Sequence, residues 1–186
     1  ASCRHTHPAV DAALALAPQV DLDTIERIDV RVYTRAMDLL AVTDASTPRA
    51  ARFNLPYCVS TALVHRDLGI PRFTEEALTD PVVNRLMDTV QIETDAAYDR
   101  RWPAEWPSEV VLHLRDGHSL RQEVDSPKGD PENPLSSAEI SAKFRTMADP
   151  VVGAERAQSC QEAILALDTG ISTRDIIATL QVPVTT

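Results

Sequence analysis

From Glu109 to Arg115, apolar side chains fall at every second position: Val110, Leu112 and Leu114. After Asp116-Gly117 a second run returns from His118 to Val124. Alternation of this kind marks strands buried on one face, and Asp-Gly between two such runs predicts a hairpin closed by a type I′ turn. Two more segments alternate. In Thr24 to Tyr33, Ile28, Val30 and Val32 interleave with Asp29, Arg31 and Tyr33, and Val90, Ile92 and Thr94 interleave with Gln91, Glu93 and Asp95. All four strands can pair antiparallel.

The rest reads as capped helices that can cover one sheet face. Pro8 suits the first turn of a helix carrying Val10, Ala13, Leu14 and Ala17, which Pro18 ends. Residues 44–54 form an Ala/Ser/Thr/Pro/Arg-rich connection. Asn54 then caps a helix with Pro56 in its first turn, a Val59, Ala62 and Leu63 stripe, and Gly69 as its stop. Asp80-Pro81 opens another, with Val82, Val83, Leu86 and Met87 inward. Ser136 and Glu139 form a capping box before Ile140, Phe144 and Met147. Residues 153–168 make a further helix stopped at Gly170, and Ser172 caps a last one with Ile176, Ile177 and Leu180. The expected fold is α+β: a two-layer sandwich over residues 1–186, a largely antiparallel sheet covered by about six helices.

Charge removes several functions. Asp and Glu number 28 against 18 Lys and Arg, a net charge of −10, and the only lysines are Lys128 and Lys143. So acidic a surface disfavours nucleic acid and anionic membranes as partners. Three widely spaced cysteines form no disulfide framework and fit a reducing, cytoplasmic setting. Neither a transmembrane-length apolar run nor a signal peptide is recognisable. The chain opens on dense polar chemistry without a Met, so the start of the protein is expected upstream.

Three places can carry chemistry. Cys3, Arg4, His5 and His7 immediately precede a helix start, where free N–H groups, the helix dipole and cationic side chains suit a carboxylate. The plainer alternative is polar capping of a surface helix. Cys3, His5 and His7 also alternate as metal ligands would, but no fourth ligand is suggested, so no metal is expected. The loop from Ser126 to Leu135 presents Lys128 between stiffening prolines, either as an anion-binding element or as a connection only. Tyr57 stands in the first turn of its helix, with its hydroxyl aimed at a ligand or simply half-buried. GxSxG, P-loop, GxGxxG, HExxH and CxxC motifs do not occur.

Four segments in order carry a resemblance: Cys3-Arg4-His5-Thr6-His7-Pro8-Ala9-Val10-Asp11-Ala12, Arg52-Phe53-Asn54-Leu55-Pro56-Tyr57, Leu114-Arg115-Asp116-Gly117, and Pro127-Lys128-Gly129-Asp130-Pro131-Glu132-Asn133-Pro134-Leu135-Ser136. Together they resemble the C-terminal domain of the MmgE/PrpD family, which includes 2-methylcitrate dehydratase, cis-aconitate decarboxylase and iminodisuccinate epimerase. The resemblance implies a lid domain that follows an all-helical N-terminal domain absent from this chain, with an active site between the two. It also implies a homodimer and no cofactor. The implied chemistry is proton removal next to a carboxylate of a small di- or tricarboxylate, 2-methylcitrate dehydratase-like as in propionate catabolism. His5 and His7 are then the catalytic groups, and Cys3, Arg4, Tyr57 and Lys128 bind substrate. Two departures stand out. The family's Lys before the Cys falls outside the chain, and the decarboxylase has a His where this chain has Cys3, which places decarboxylation last of the three activities. The rival expectation is a non-catalytic binding module that keeps the lid fold.

Overall fold

β1 (Ile25–Val32) sets the architecture. Its Ile28, Val30 and Val32 are buried, while Arg27 and Arg31 face outward. The computed structural model describes residues 1–40, 44–170 and 172–180, and these divide into two compact units, Ala1–Asn133 and Pro134–Thr186. In the first unit, β1 is joined by β2 (Val90–Thr94), β3 (Ser108–Leu114) and β4 (Ser119–Val124) in the order β2-β1-β3-β4. β1–β3 and β3–β4 are antiparallel, as expected for a hairpin and its neighbour. The β1–β2 pair is parallel, so the sheet is largely antiparallel, as expected, although not all four strands pair that way. A parallel pair requires a long crossover, and the helical stretch between β1 and β2 supplies it.

That crossover holds α2 (Thr34–Leu40), α3 (Pro48–Ala51), α4 (Leu55–His65) and α5 (Pro81–Met87). α1 (His7–Leu16) precedes the sheet and α6 (Ala96–Arg101) follows β2. α1 packs on β3, β4 and α4, so Ala9, Ala12, Ala13 and Leu16 meet Val110 and Leu112 in one core. Each large aliphatic side chain buried there contributes roughly 1.5–3 kcal/mol.

Two local expectations differ from the outcome. α4 ends at Arg66, which takes the left-handed conformation at φ 53° and returns its N–H to Ala62, so Gly69 is not its stop. The hairpin loop has three residues, Arg115 to Gly117. Gly117 at φ 86° donates to Leu114, and Leu114 donates to His118. A type I′ turn needs positive φ at both central residues; here Gly117 alone has it, which makes a type I turn with a one-residue bulge.

The second unit consists of α7 (Ser137–Val152), α8 (Ala154–Leu165) and α9 (Thr173–Leu180), with α8 packed on both others. The capping box at Ser136 and Glu139 is present, and Gly170 is left-handed at φ 93°. Among the described residues, no helix is long and apolar enough to cross a membrane.

Candidate functional site

The residues ahead of α1 are tied down by a chain of short bonds. Arg52 donates to the Ala1 carbonyl at 2.7 Å, the Cys3 N–H donates to the Arg52 carbonyl, and the buried Thr6 hydroxyl donates to the Cys3 carbonyl at 2.8 Å. Cys58 lies beneath, its thiol pushed up to about 12 by burial and therefore inert. The result is a short 3₁₀ turn, Arg4–Thr6, running straight into α1.

His5 leaves this turn toward an aromatic wall. Its Nδ1 lies 2.6 Å from the hydroxyl of Tyr33, at the end of β1, and its ring is 4.8 Å from that of Trp106. Tyr33 in turn stacks with Trp102 at 5.9 Å. Trp106 thus meets His5 directly, and Trp102 is linked to it through Tyr33. Burial lowers the pKa of His5, and the cations Arg35 and Arg4 lower it further. Burial raises that of Tyr33, which stays a phenol.

Arg4 spans two elements. Its guanidinium lies 4.1 Å over the Trp106 ring and grips both carboxylate oxygens of Asp130 at 2.8 and 2.7 Å. Asp130 belongs to the Lys128 loop, which a second contact fixes: the Lys128 backbone N–H donates to Asp11 Oδ2 at 2.6 Å. Within the loop, Gly129 N–H donates to the Asn133 carbonyl and Asn133 donates to the Ser126 carbonyl. Gly129 takes φ 101°, a conformation that favours glycine.

Asp11 lies one helical turn after His7, on the same side of α1. Burial raises its pKa, while the Lys128 N–H and the charges of His7 and Lys128 act against that rise. His7 is half-buried and its pKa is lowered, burial being the largest cause. Its Nε2 lies 3.3 Å from the Ser2 carbonyl oxygen.

Arg4, His5, His7 and Lys128 therefore gather around the start of α1, and Cys3 lies close enough to raise the pKa of Tyr33. Tyr57 stands apart. It is 1% exposed, packs on Phe73 and donates its hydroxyl to the Arg72 carbonyl. Among the described residues no group of three His, Cys, Asp or Glu is placed to hold a metal. Sequence reasoning missed Asp11, Asp130, Tyr33, Trp102 and Trp106. Asp11 alone left a signal, four residues after His7 in a helix.

Two imidazoles, a guanidinium and the Lys128 loop thus meet at the start of α1 on an α+β sandwich. The chain belongs to the MmgE/PrpD family: the family model for the MmgE/PrpD C-terminal domain matches residues 1–169. Among curated proteins it is 27% identical over 134 residues to the cis-aconitate decarboxylase-like protein oryM of Aspergillus oryzae, covering 71% of this chain and 27% of that protein. It is 25% identical over 137 residues to the cis-aconitate decarboxylase of Aspergillus terreus, covering 73% and 28%. To the Mus musculus cis-aconitate decarboxylase it is 24% identical over 165 residues, covering 83% and 33%. The chain thus spans a third or less of the length of these relatives. All three carry the decarboxylase name, the activity that Cys3 places last on sequence grounds.

Proposed function

We propose that this chain is the lid of a cofactor-independent lyase or isomerase. On this reading it closes with an all-helical partner domain over a small di- or tricarboxylate, in a cytoplasmic homodimer. The observation that supports it is the grouping of His7, Asp11 and Lys128 at the start of α1, where the Lys128 N–H donates to Asp11 one helical turn from His7. Proton removal next to a carboxylate builds negative charge, so cations must already be in place, together with a base of suitable pKa. In a dehydration, the base takes the proton from that carbon. The neighbouring C–O bond then breaks, its electron pair leaves with the hydroxyl oxygen, and that hydroxide takes a proton from the protonated base to leave as water. Lys128 and Arg4 bind carboxylates, His5 and His7 act at the reacting atoms, and Cys3 lines the site. Tyr57 supports α4 from within the core.

The decarboxylase names of the relatives favour a second reaction on the same site. There the C–C bond to the carboxylate breaks, CO₂ leaves, and the remaining carbon takes up a proton. The cationic requirement is the same.

The test uses the full-length protein with 2-methylcitrate and with cis-aconitate, following products by NMR. Lys128→Ala is expected to raise KM more than His7→Ala does. His7→Ala is expected to lower kcat on the order of 100- to 10,000-fold. Wild-type kinetics in both variants would remove His7 and Lys128 from the site, and no turnover of either acid by the full-length protein would leave the rival, a non-catalytic binding module.

A further inference from the structure

Two histidines of the same cluster are held by different groups, and the difference decides what each can offer. Building on the proposed function, we infer that His5 presents an N–H from Nε2 to the negative charge developing on the substrate, while His7 presents a bare Nδ1 as the base. Tyr33 and the Ser2 carbonyl are the positioning groups.

Tyr33 is 1% exposed and its hydroxyl lies 2.6 Å from Nδ1 of His5. A buried phenol has a hydrogen to donate, and among the described residues Nδ1 of His5 is the acceptor within reach. A neutral imidazole that accepts at Nδ1 carries its hydrogen on Nε2. Trp106 lies against the ring and limits its swing. His7 is held from the other nitrogen. Its Nε2 lies 3.3 Å from the Ser2 carbonyl oxygen, and a carbonyl only accepts. Nε2 therefore donates, and the lone pair is left on Nδ1. Both rings have lowered pKa values, so both are neutral near pH 7. They share a tautomer and differ in the nitrogen left over: a donor on His5, an acceptor on His7. Proton abstraction needs one of each, a lone pair at the carbon acid and a fixed donor where charge collects. With Arg4 and Arg35 bearing on His5, positive charge is already present without an imidazolium.

The first arm of the test is NMR of the chain with ¹⁵N-labelled histidine. Long-range proton–nitrogen correlations are expected to show a pyrrole-type Nε2 and a pyridine-type Nδ1 in both His5 and His7. Tyr33→Phe is expected to mix the tautomers of His5 and leave His7 unchanged. A hydrogen on Nδ1 of His5 in the wild type, or no response to Tyr33→Phe, overturns the inference. Tyr33 lies in the core; if its variant does not fold, the wild-type spectrum and the second arm decide.

The second arm is kinetic, in the full-length enzyme. Glutamine sets an amide N–H near the Nε2 position but cannot exchange protons as a base. His5→Ala is expected to lose on the order of 100- to 1,000-fold in kcat, and His5→Gln to recover about tenfold or more of that loss. His7→Gln and His7→Ala are expected to lose alike. Equal losses in the two His5 variants would make His5 a proton carrier and overturn the inference. An enzyme that turns over no small carboxylate, with the NMR pattern intact, sinks the proposed function and the division of roles with it. Turnover with the wrong tautomers sinks the inference alone.

Discussion

Residues 1–133 and residues 134–186 have comparable local signals and opposite burial. Both contain well-capped helices: Asn54 accepts from the N–H of Tyr57, and Ser136 accepts from that of Glu139. The first unit nevertheless gathers most of its aliphatic side chains into one core against a sheet. The second buries only Ala157, Cys160 and Ala163 among its described hydrophobic residues. Ile140, Met147, Val151, Leu165 and Ile177 stay exposed, Val151 by 66%. Capping decides where a helix starts; only packing decides whether it is stable. The stripe Ile140, Met147, Val151 recurs at helical spacing along α7, the pattern of a face meant for cover.

Cutting the chain after Asn133 is the strongest way to break this contrast. Residues 1–133 are expected to melt cooperatively by circular dichroism, and residues 134–186 to lose helix gradually with no transition. A cooperative melt of the second piece alone would show that its small buried set is enough. Single truncations sharpen the comparison. Leu112→Ala in the core is expected to cost about 2–5 kcal/mol in urea unfolding. Val151→Ala is expected to stay within about 0.5 kcal/mol.

The smallest expected effect concerns acid, and it belongs to the first unit. His5 and His7 both titrate below their ordinary 6.5, so the unfolded chain binds more protons just beneath that pH. Their contribution to stability is present above pH 6.5 and is lost as pH falls through their folded values. Asp11 runs the other way: raised above 3.8, it favours the folded state once protonated and loses that contribution as pH rises through its folded value. The urea midpoint of residues 1–133 is therefore expected to decline as pH falls below 6.5, and His7→Gln to flatten the decline. An unchanged slope in that variant would remove His7 as its source.

Patterns that repeat along the chain were legible in the sequence. Period-two alternation located all four strands, and Asn54, Asp80 and Ser136 located helix starts. Partnership was not legible. The parallel β1–β2 pair depends on where a long crossover lands, and alternation carries no direction. The same limit applied to the site. Arg4 and His5 were visible as residue types, but Asp130, Tyr33 and Trp106 reach them only through folding. Tyr57 sits where its helix was expected, yet its side chain is buried in the core, with its ring on Phe73 and its hydroxyl on the Arg72 carbonyl.

The clasp between Arg4 and Asp130 joins positions 126 apart in sequence. Everything between them, sheet and covering helices alike, is strung from one point, so the polypeptide enters and leaves the first unit side by side. A unit with neighbouring entrance and exit can be spliced into a longer chain without crossing or stretching what lies on either side. Its ion pair closes the neck at that junction. Exchanging the charges, Arg4→Asp with Asp130→Arg, would keep the neck closed while moving the cation off the start of α1, which separates the work of holding the unit shut from the work of meeting an anion.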